Sequence, residues 1–143
     1  MTTPFYSSDC TPFNGVPVRT STKNFGLVTV CGEYTTLAKL IADDIIHMVK
    51  IPAGATLLDL ILDCVLMDAS AALTLSVGYT GAATAFINVS TVGQAGGIER
   101  ISVVGGTQKE FAADDTIQVK VGTGPTDTTL GKMKLTAVYT MDP

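Results

Sequence analysis

The chain is predicted to be all-β, a jelly-roll-like antiparallel β-sandwich of about eight strands preceded by an extended N-terminal arm. Three observations lead there. Apolar and polar residues alternate with a period of two across residues 58–66, 73–79, 116–121 and 132–140. Successive side chains of a strand point to opposite faces, so that period marks a sheet with one buried face. Glycine, proline, aspartate and serine separate these runs at short intervals, as hairpins and loops require. The runs also follow one another without the helical patterns that alternate with the strands of a parallel sheet.

Residues 1–26 are read as the arm and residues 27–143 as the single β-sandwich domain. The arm holds Pro4, Pro12, Pro17, Gly15 and Gly26 with many Ser and Thr and little periodicity, which suits an extended leader better than a separate domain. Phe5, Tyr6, Phe13, Val16, Val18 and Phe25 are too apolar for a purely solvated tail, so they pack along their own domain or along a neighbouring subunit.

Residues 27–30 are a strand. Residues 34–49 carry two signals: Leu37, Leu40, Ile41, Ile45, Met48 and Val49 have helical spacing, while residues 45–51 suit a strand. Clustered β-branched residues and the stop at Pro52 favour a strand over residues 43–51, with a helical turn at residues 36–42 left open. The next strand covers residues 56–67. It places Leu58, Leu60, Leu62, Cys64 and Leu66 on one side and Asp59, Ile61, Asp63 and Val65 on the other, and its length calls for a bend or bulge.

Asp68-Ala69-Ser70 turns the chain into a strand with Leu73, Leu75, Val77 and Tyr79 on one face. A short strand at residues 85–89 precedes a loose glycine-rich segment at residues 93–97. Strands follow at residues 98–104 and, as a brief edge, at 107–111. Residues 116–121 turn Ile117, Val119 and Val121 one way, and residues 132–140 do the same with Met133, Leu135, Ala137 and Tyr139.

At 143 residues, one domain buries roughly two thirds of its unfolded surface and needs neither disulfide nor metal to obtain a core. Only 15% of the residues are charged, against about a quarter in ordinary domains, which suits a surface partly covered by neighbours. A net charge of -4 and scattered Lys and Arg argue against gripping a nucleic-acid backbone. Cys10, Cys31 and Cys64 have neither metal-ligand spacing nor a disulfide framework, and Cys64 reads as a small buried hydrophobe. The first residues lack the charged and apolar regions of a signal peptide, and Asp59, Asp63 and Asp68 interrupt the longest apolar run below membrane-spanning length. Synthesis and assembly in a cytoplasm are the default expectation.

None of the chemistry-bearing residues forms a catalytic motif. His47, the single histidine, lies in an apolar strand and reads as packed or at an interface. Asp43-Asp44 and Asp114-Asp115 read as turn residues, because neighbours on a strand diverge and neither pair belongs to a calcium loop. Asp59 and Asp63 lie about 13 Å apart on one face, too far to share an ion. The glycine-rich stretches lack the lysine and hydroxyl of a phosphate loop. Asn88-Val89-Ser90 matches a glycosylation sequon without the compartment for it. Tyr79 and Tyr139 are the aromatics that a sugar-binding face would use, although both align with apolar strand faces.

The run Asp44-Ile45-Ile46-His47-Met48-Val49-Lys50-Ile51-Pro52-Ala53-Gly54-Ala55, the long apolar strand after it, and Leu73-Thr74-Leu75-Ser76-Val77-Gly78-Tyr79-Thr80-Gly81 resemble decoration (cement, head-stabilising) proteins of tailed bacteriophages. The segments at residues 115–121 and 135–139 are similar too, so the resemblance spans residues 43–140 and leaves the arm unmatched. It implies a jelly-roll-like virion protein on the outer surface of the head, bound to the major capsid protein and assembled as a homo-oligomer, with a trimer expected. It implies no enzyme activity, cofactor, metal, membrane or direct nucleic-acid contact. Phe5, Tyr6 and Phe13 are then the candidate anchors for capsid or inter-subunit contact. The rival reading is a fibre or adhesive β-sandwich module binding a host glycan or receptor. A cupin-like enzyme is disfavoured, since one histidine cannot supply a multi-histidine metal set.

Overall fold

The computed structural model describes residues 27–127 and 130–141. The N-terminal arm, with Phe5, Tyr6, Cys10 and Phe13, lies outside the described residues. The described chain forms strands β1 (Leu27–Thr35), β2 (Ile45–Ile51), β3 (Ala55–Cys64), β4 (Leu75–Tyr79) and β5 (Ala82–Ser90), then a helical turn α1 (Val92–Ala95). Strands β6 (Gly97–Arg100), β7 (Lys109–Glu110), β8 (Asp115–Val121) and β9 (Lys132–Met141) follow.

One sheet has the order β1-β9-β3-β6 with the short β7 also on β3, and the other has the order β2-β8-β4-β5. Every pairing is antiparallel. The pairs nest around the β4–β5 turn: β4 with β5, β3 with β6, β2 with β8, β1 with β9. That nesting is a long hairpin rolled up so that its strands alternate between two sheets, which is the jelly roll. The predicted all-β sandwich is therefore what the chain adopts.

The inner faces follow the predicted alternation most closely on the interior strands. Met133, Leu135 and Ala137 of β9 and Ile117, Val119 and Val121 of β8 are fully buried, as are Leu75 and Val77 of β4 and Leu73 just before it. Strand β1 runs past residue 30 to Thr35, and all nine of its residues keep register with β9.

Strand β3 departs from the expected phase. Leu60, Leu62 and Cys64 face the core, yet Ala55 and Leu57 are also fully buried while Leu58 is only half-buried. A bulge is the cause: Leu57 opposes Tyr139, and Asp59, two residues on, opposes the very next residue, Val138. The extra residue reverses which side of β3 faces inward. Leu66, assigned to the buried side, is 45% exposed because the chain leaves the sheet after Cys64, and Met67 takes the core position.

Three smaller expectations also change. Strand β2 starts at Ile45 because Asp43 adopts a left-handed φ of 72° that ends regular pairing, and no helix forms over residues 36–42. The loose segment at residues 93–97 overlaps the helical turn α1. Strand β6 stops at Arg100, where the chain crosses to the other sheet and the amides of Ser102 and Val103 donate to the Phe86 carbonyl.

The sandwich closes on one side by a contact between edge strands. In β2, Met48 is the extra residue of a bulge between His47 and Val49, and its carbonyl is pushed towards Gly32 of β1. A Cβ on Gly32 would lie 2.1 Å from that oxygen, so only glycine lets the two edges meet.

Candidate interaction surface

The structure keeps apart the residues from which a reaction centre might have been assembled. His47 is exposed on β2, and its Nδ1 lies 2.9 Å from Thr116 Oγ1. Asp43 pairs with Lys120 at 3.4 Å, and Asp44 accepts the Ile41 amide at 2.9 Å. Asp114 accepts the Ala53 amide, while Asp115 accepts the Thr80 hydroxyl and the Thr116 amide. These aspartates fix the ends of turns. Asp59 pairs with Arg100 across β3 and β6, and Asp63 stands opposite Lys134. Among the described residues no three His, Cys, Asp or Glu side chains are grouped to hold a metal ion.

Two ionisable groups are displaced from their ordinary values. Burial, helped by the nearby Asp63 and Glu99 charges, pushes the Cys64 thiol up to about 12. Burial also pushes the Asp68 carboxyl up. The backbone amides of Ala72, Leu73 and Ser70 together outweigh it and hold that carboxyl below the usual range. Asp68 was expected only as a turn residue, yet it is 1% exposed and organises the whole β3–β4 connection.

Neither tyrosine proposed for a sugar-binding face offers an open platform. The ring of Tyr79 packs against Phe86 and Phe111, and the Lys109 ammonium sits 4.7 Å from its centroid. Tyr139 is 6% exposed. The sequon is closed as well, because Ser90 is buried and its hydroxyl donates to Glu99.

The surface that does stand out lies at the end of the sandwich where β1 stops and β9 starts. Thr36 and Gly131 clip these strands together: the Thr36 amide and hydroxyl both donate to the Gly131 carbonyl, and the Gly131 amide donates to the Thr36 hydroxyl at 2.7 Å. Leu37 and Leu130 are the next residues on either side of this clip. A Cβ on Gly131 would lie 2.5 Å from the Leu66 carbonyl and 3.2 Å from Val65 Cγ2, so the end of β3 packs directly on the same point.

Leu37, Leu130, Val65 and Leu66 are exposed there by 86%, 50%, 49% and 45%. Glu33, Asp63, Lys132 and Lys134 border Val65 on the outer sheet face, with Glu33 and Lys132 paired at 3.6 Å. An apolar centre with a charged rim is the anatomy of an interaction surface. Sequence reasoning missed it because Leu37 was assigned to a helical face and Leu66 to the buried side of a strand, while Leu130 falls between the strands read at residues 116–121 and 132–140.

No protein-family model and no curated protein matches the chain. Solved structures do match. A chain in the capsid asymmetric unit of cyanophage Pam1 superposes with a TM-score of 0.74 at 21% identity, covering 92% of this chain and 97% of that one. A chain in the capsid of Ralstonia phage GP4 gives 0.73 at 24% identity, covering 87% and 90%. The fold is one found in phage capsids. A chain of the acid-stable capsid of Helicobacter pylori bacteriophage KHP30 is more distant, with a TM-score of 0.55, 15% identity and coverage of 81% and 92%.

Proposed function

We propose that this protein is a structural component of a bacteriophage virion, bound to the outer surface of the head, where it bridges and stabilises major capsid protein subunits. The observation that carries this reading is the reciprocal coverage. The match extends over 92% of this chain and 97% of the Pam1 capsid chain, so the two are of similar length, which supports a capsid component of this size.

The role is mechanical. Each copy adds buried area across a seam between shell subunits, and a standard interface of about 1,600 Å² suffices for specific attachment. Shell symmetry repeats that gain many times, and a trimeric assembly would place several attachment points on one unit. Residues 1–26 form an arm distinct from the β-domain of residues 27–143, with Phe5, Tyr6 and Phe13 as its contact residues. Assembly takes place in the host cytoplasm and requires no cofactor, membrane or nucleic acid. The glycan-binding alternative loses its candidate platforms, since the Tyr79 ring is engaged and Tyr139 is buried.

The test is binding of the purified protein to expanded, empty heads of its phage. Saturable binding without added sugar or metal, and heads that then resist heating better, is the expected result. Failure to bind such heads, together with binding to a defined glycan, would overturn the assignment. Removal of residues 1–20 should weaken attachment while circular dichroism and unfolding of the β-domain stay unchanged.

A further inference from the structure

The bulge in β2 has a second effect, on the outer face of its sheet. His47 and Lys50 are three residues apart, so in a regular strand their side chains would point to opposite faces. The extra residue, Met48, removes that difference. His47 opposes Gln118 and Lys50 opposes Thr116, two residues apart on β8, while Ile117 between them is fully buried in the core. All four side chains therefore belong to the outer face, with the two β2 positions about 7 Å apart. His47, Lys50 and Thr116 line a cleft of about 140 Å³ there, together with Met48 and Val49.

The cleft is lined with hydrogen-bonding groups and holds no acid. The Thr116 hydroxyl engages His47 Nδ1, which orients the ring and, with the hydroxyl donating, leaves the ring proton on the free Nε2. The ion pairs of the described residues engage Arg100, Lys120 and Lys132, so the exposed Lys50 has no acid partner among them. Gln118, directly opposite His47, is 5% exposed, and its carboxamide bonds to no described residue. No buried side-chain nitrogen or oxygen is left without a partner, so that carboxamide reaches the surface while its stem stays covered. A stem held in this way loses little freedom when its amide meets a ligand.

We propose that His47, Lys50, Thr116 and Gln118 form a receptor for one acidic side chain, aspartate or glutamate, of another polypeptide. An ionised carboxylate only accepts hydrogen bonds, and its two oxygens can take the Lys50 ammonium on one side and the imidazole and carboxamide N–H groups on the other, at about 2.7–2.9 Å each. Phosphate sites are instead built on helix N-termini, backbone nests or arginines, and the one arginine among the described residues, Arg100, is paired with Asp59 on the opposite sheet. The receptor belongs to the folded protein itself. Only the placing of its partner in a phage head rests on the proposed function.

The test is an NMR titration of the isotope-labelled full chain with a blocked tripeptide that has one glutamate between two alanines, at constant ionic strength. The expected result is saturable millimolar binding that moves the His47 ring and Gln118 carboxamide signals, with no such change from the tripeptide carrying glutamine instead. Lys50→Ala should weaken binding about threefold, and His47→Ala combined with it about tenfold. Lys39→Ala, an equal loss of charge on the β1–β2 loop, should leave binding unchanged. All three positions are exposed, and the backbone amide spectrum verifies the fold of each variant. Equal shifts from the two tripeptides, or equal losses from Lys39→Ala and Lys50→Ala, would overturn the receptor. Inorganic phosphate binding at least tenfold tighter on the same residues would overturn the choice of a carboxylate. The titration uses no phage heads, so its failure leaves the proposed function standing, and failure of head binding leaves the receptor standing.

Discussion

Replacing Gly32 by alanine puts a methyl group in place of a hydrogen at the point where the two sheets close on each other. The new Cβ would lie 2.1 Å from the Met48 carbonyl oxygen, 2.8 Å from its carbon and 3.1 Å from Val49 Cγ1. Carbon atoms approach carbonyl oxygens no closer than about 3.3 Å even in favourable C–H contacts, so the edges must part by roughly 1 Å. Two of the three obstructing atoms are backbone, so a side-chain rotation cannot relieve the clash.

Overpacking of this kind costs about 1–3 kcal/mol. The alanine recovers about 0.4–1 kcal/mol by restricting the unfolded chain. The net expectation is a loss of about 1–2 kcal/mol, which at about 4 °C per kcal/mol lowers Tm by about 4–8 °C. Urea unfolding followed by far-ultraviolet circular dichroism should show a lower midpoint with an unchanged m-value. A Gly32→Ala protein as stable as the parent would refute the claim that the β2 bulge presses on β1.

The β3 bulge makes Leu57→Ala cost about 2–5 kcal/mol and the neighbouring Leu58→Ala distinctly less, the reverse of what plain alternation implies; paired denaturation curves decide it. Asp68→Asn should destabilise the protein at neutral pH. Because the folded carboxyl titrates below its ordinary value of 3.8, its contribution is present above that pH and disappears as pH falls through the folded value, so the two unfolding curves should converge in acid. Val89 is exposed and held at a φ of 55°, a conformation that costs a β-branched residue about 1–2 kcal/mol, so Val89→Asn should raise Tm.

The parts of the fold that were legible in the sequence are those where strand geometry is regular and one face meets the core. Strands β8 and β9 each have a partner on both sides; alternation holds along β9, and β8 breaks it only at the buried Gln118. Strand β3 has the strongest apolar pattern of all, yet one inserted residue reverses its phase, and periodicity carries no mark of where a bulge will fall. The later half of β1 was hidden because Gly32 and Glu33 resemble a turn, although the glycine is there for a close approach and the glutamate faces solvent.

The apolar end was illegible for a different reason. It is assembled from β1, β3 and β9, whose contributing residues lie far apart along the chain, and only their three-dimensional register brings Leu37, Leu66 and Leu130 together. Asp68 was visible as a turn former, but the count of amides converging on it depends on how the connection folds back. Function stayed beyond periodicity altogether, since nothing in a jelly-roll pattern names its neighbours.

The nested pairing has a consequence for biosynthesis. Strand β9 is synthesised after the eight strands before it, yet it sits inside its sheet and supplies the hydrogen bonds for both β1 and β3. Until it arrives, those strands have open edges and no common neighbour, and the opposite sheet has no inner face to pack against. Folding therefore waits for β9 and is governed by distant pairings, which makes it slow. A chain broken off before β9 cannot imitate the finished protein: it stays unfolded or aggregates, so the topology itself screens out truncated copies.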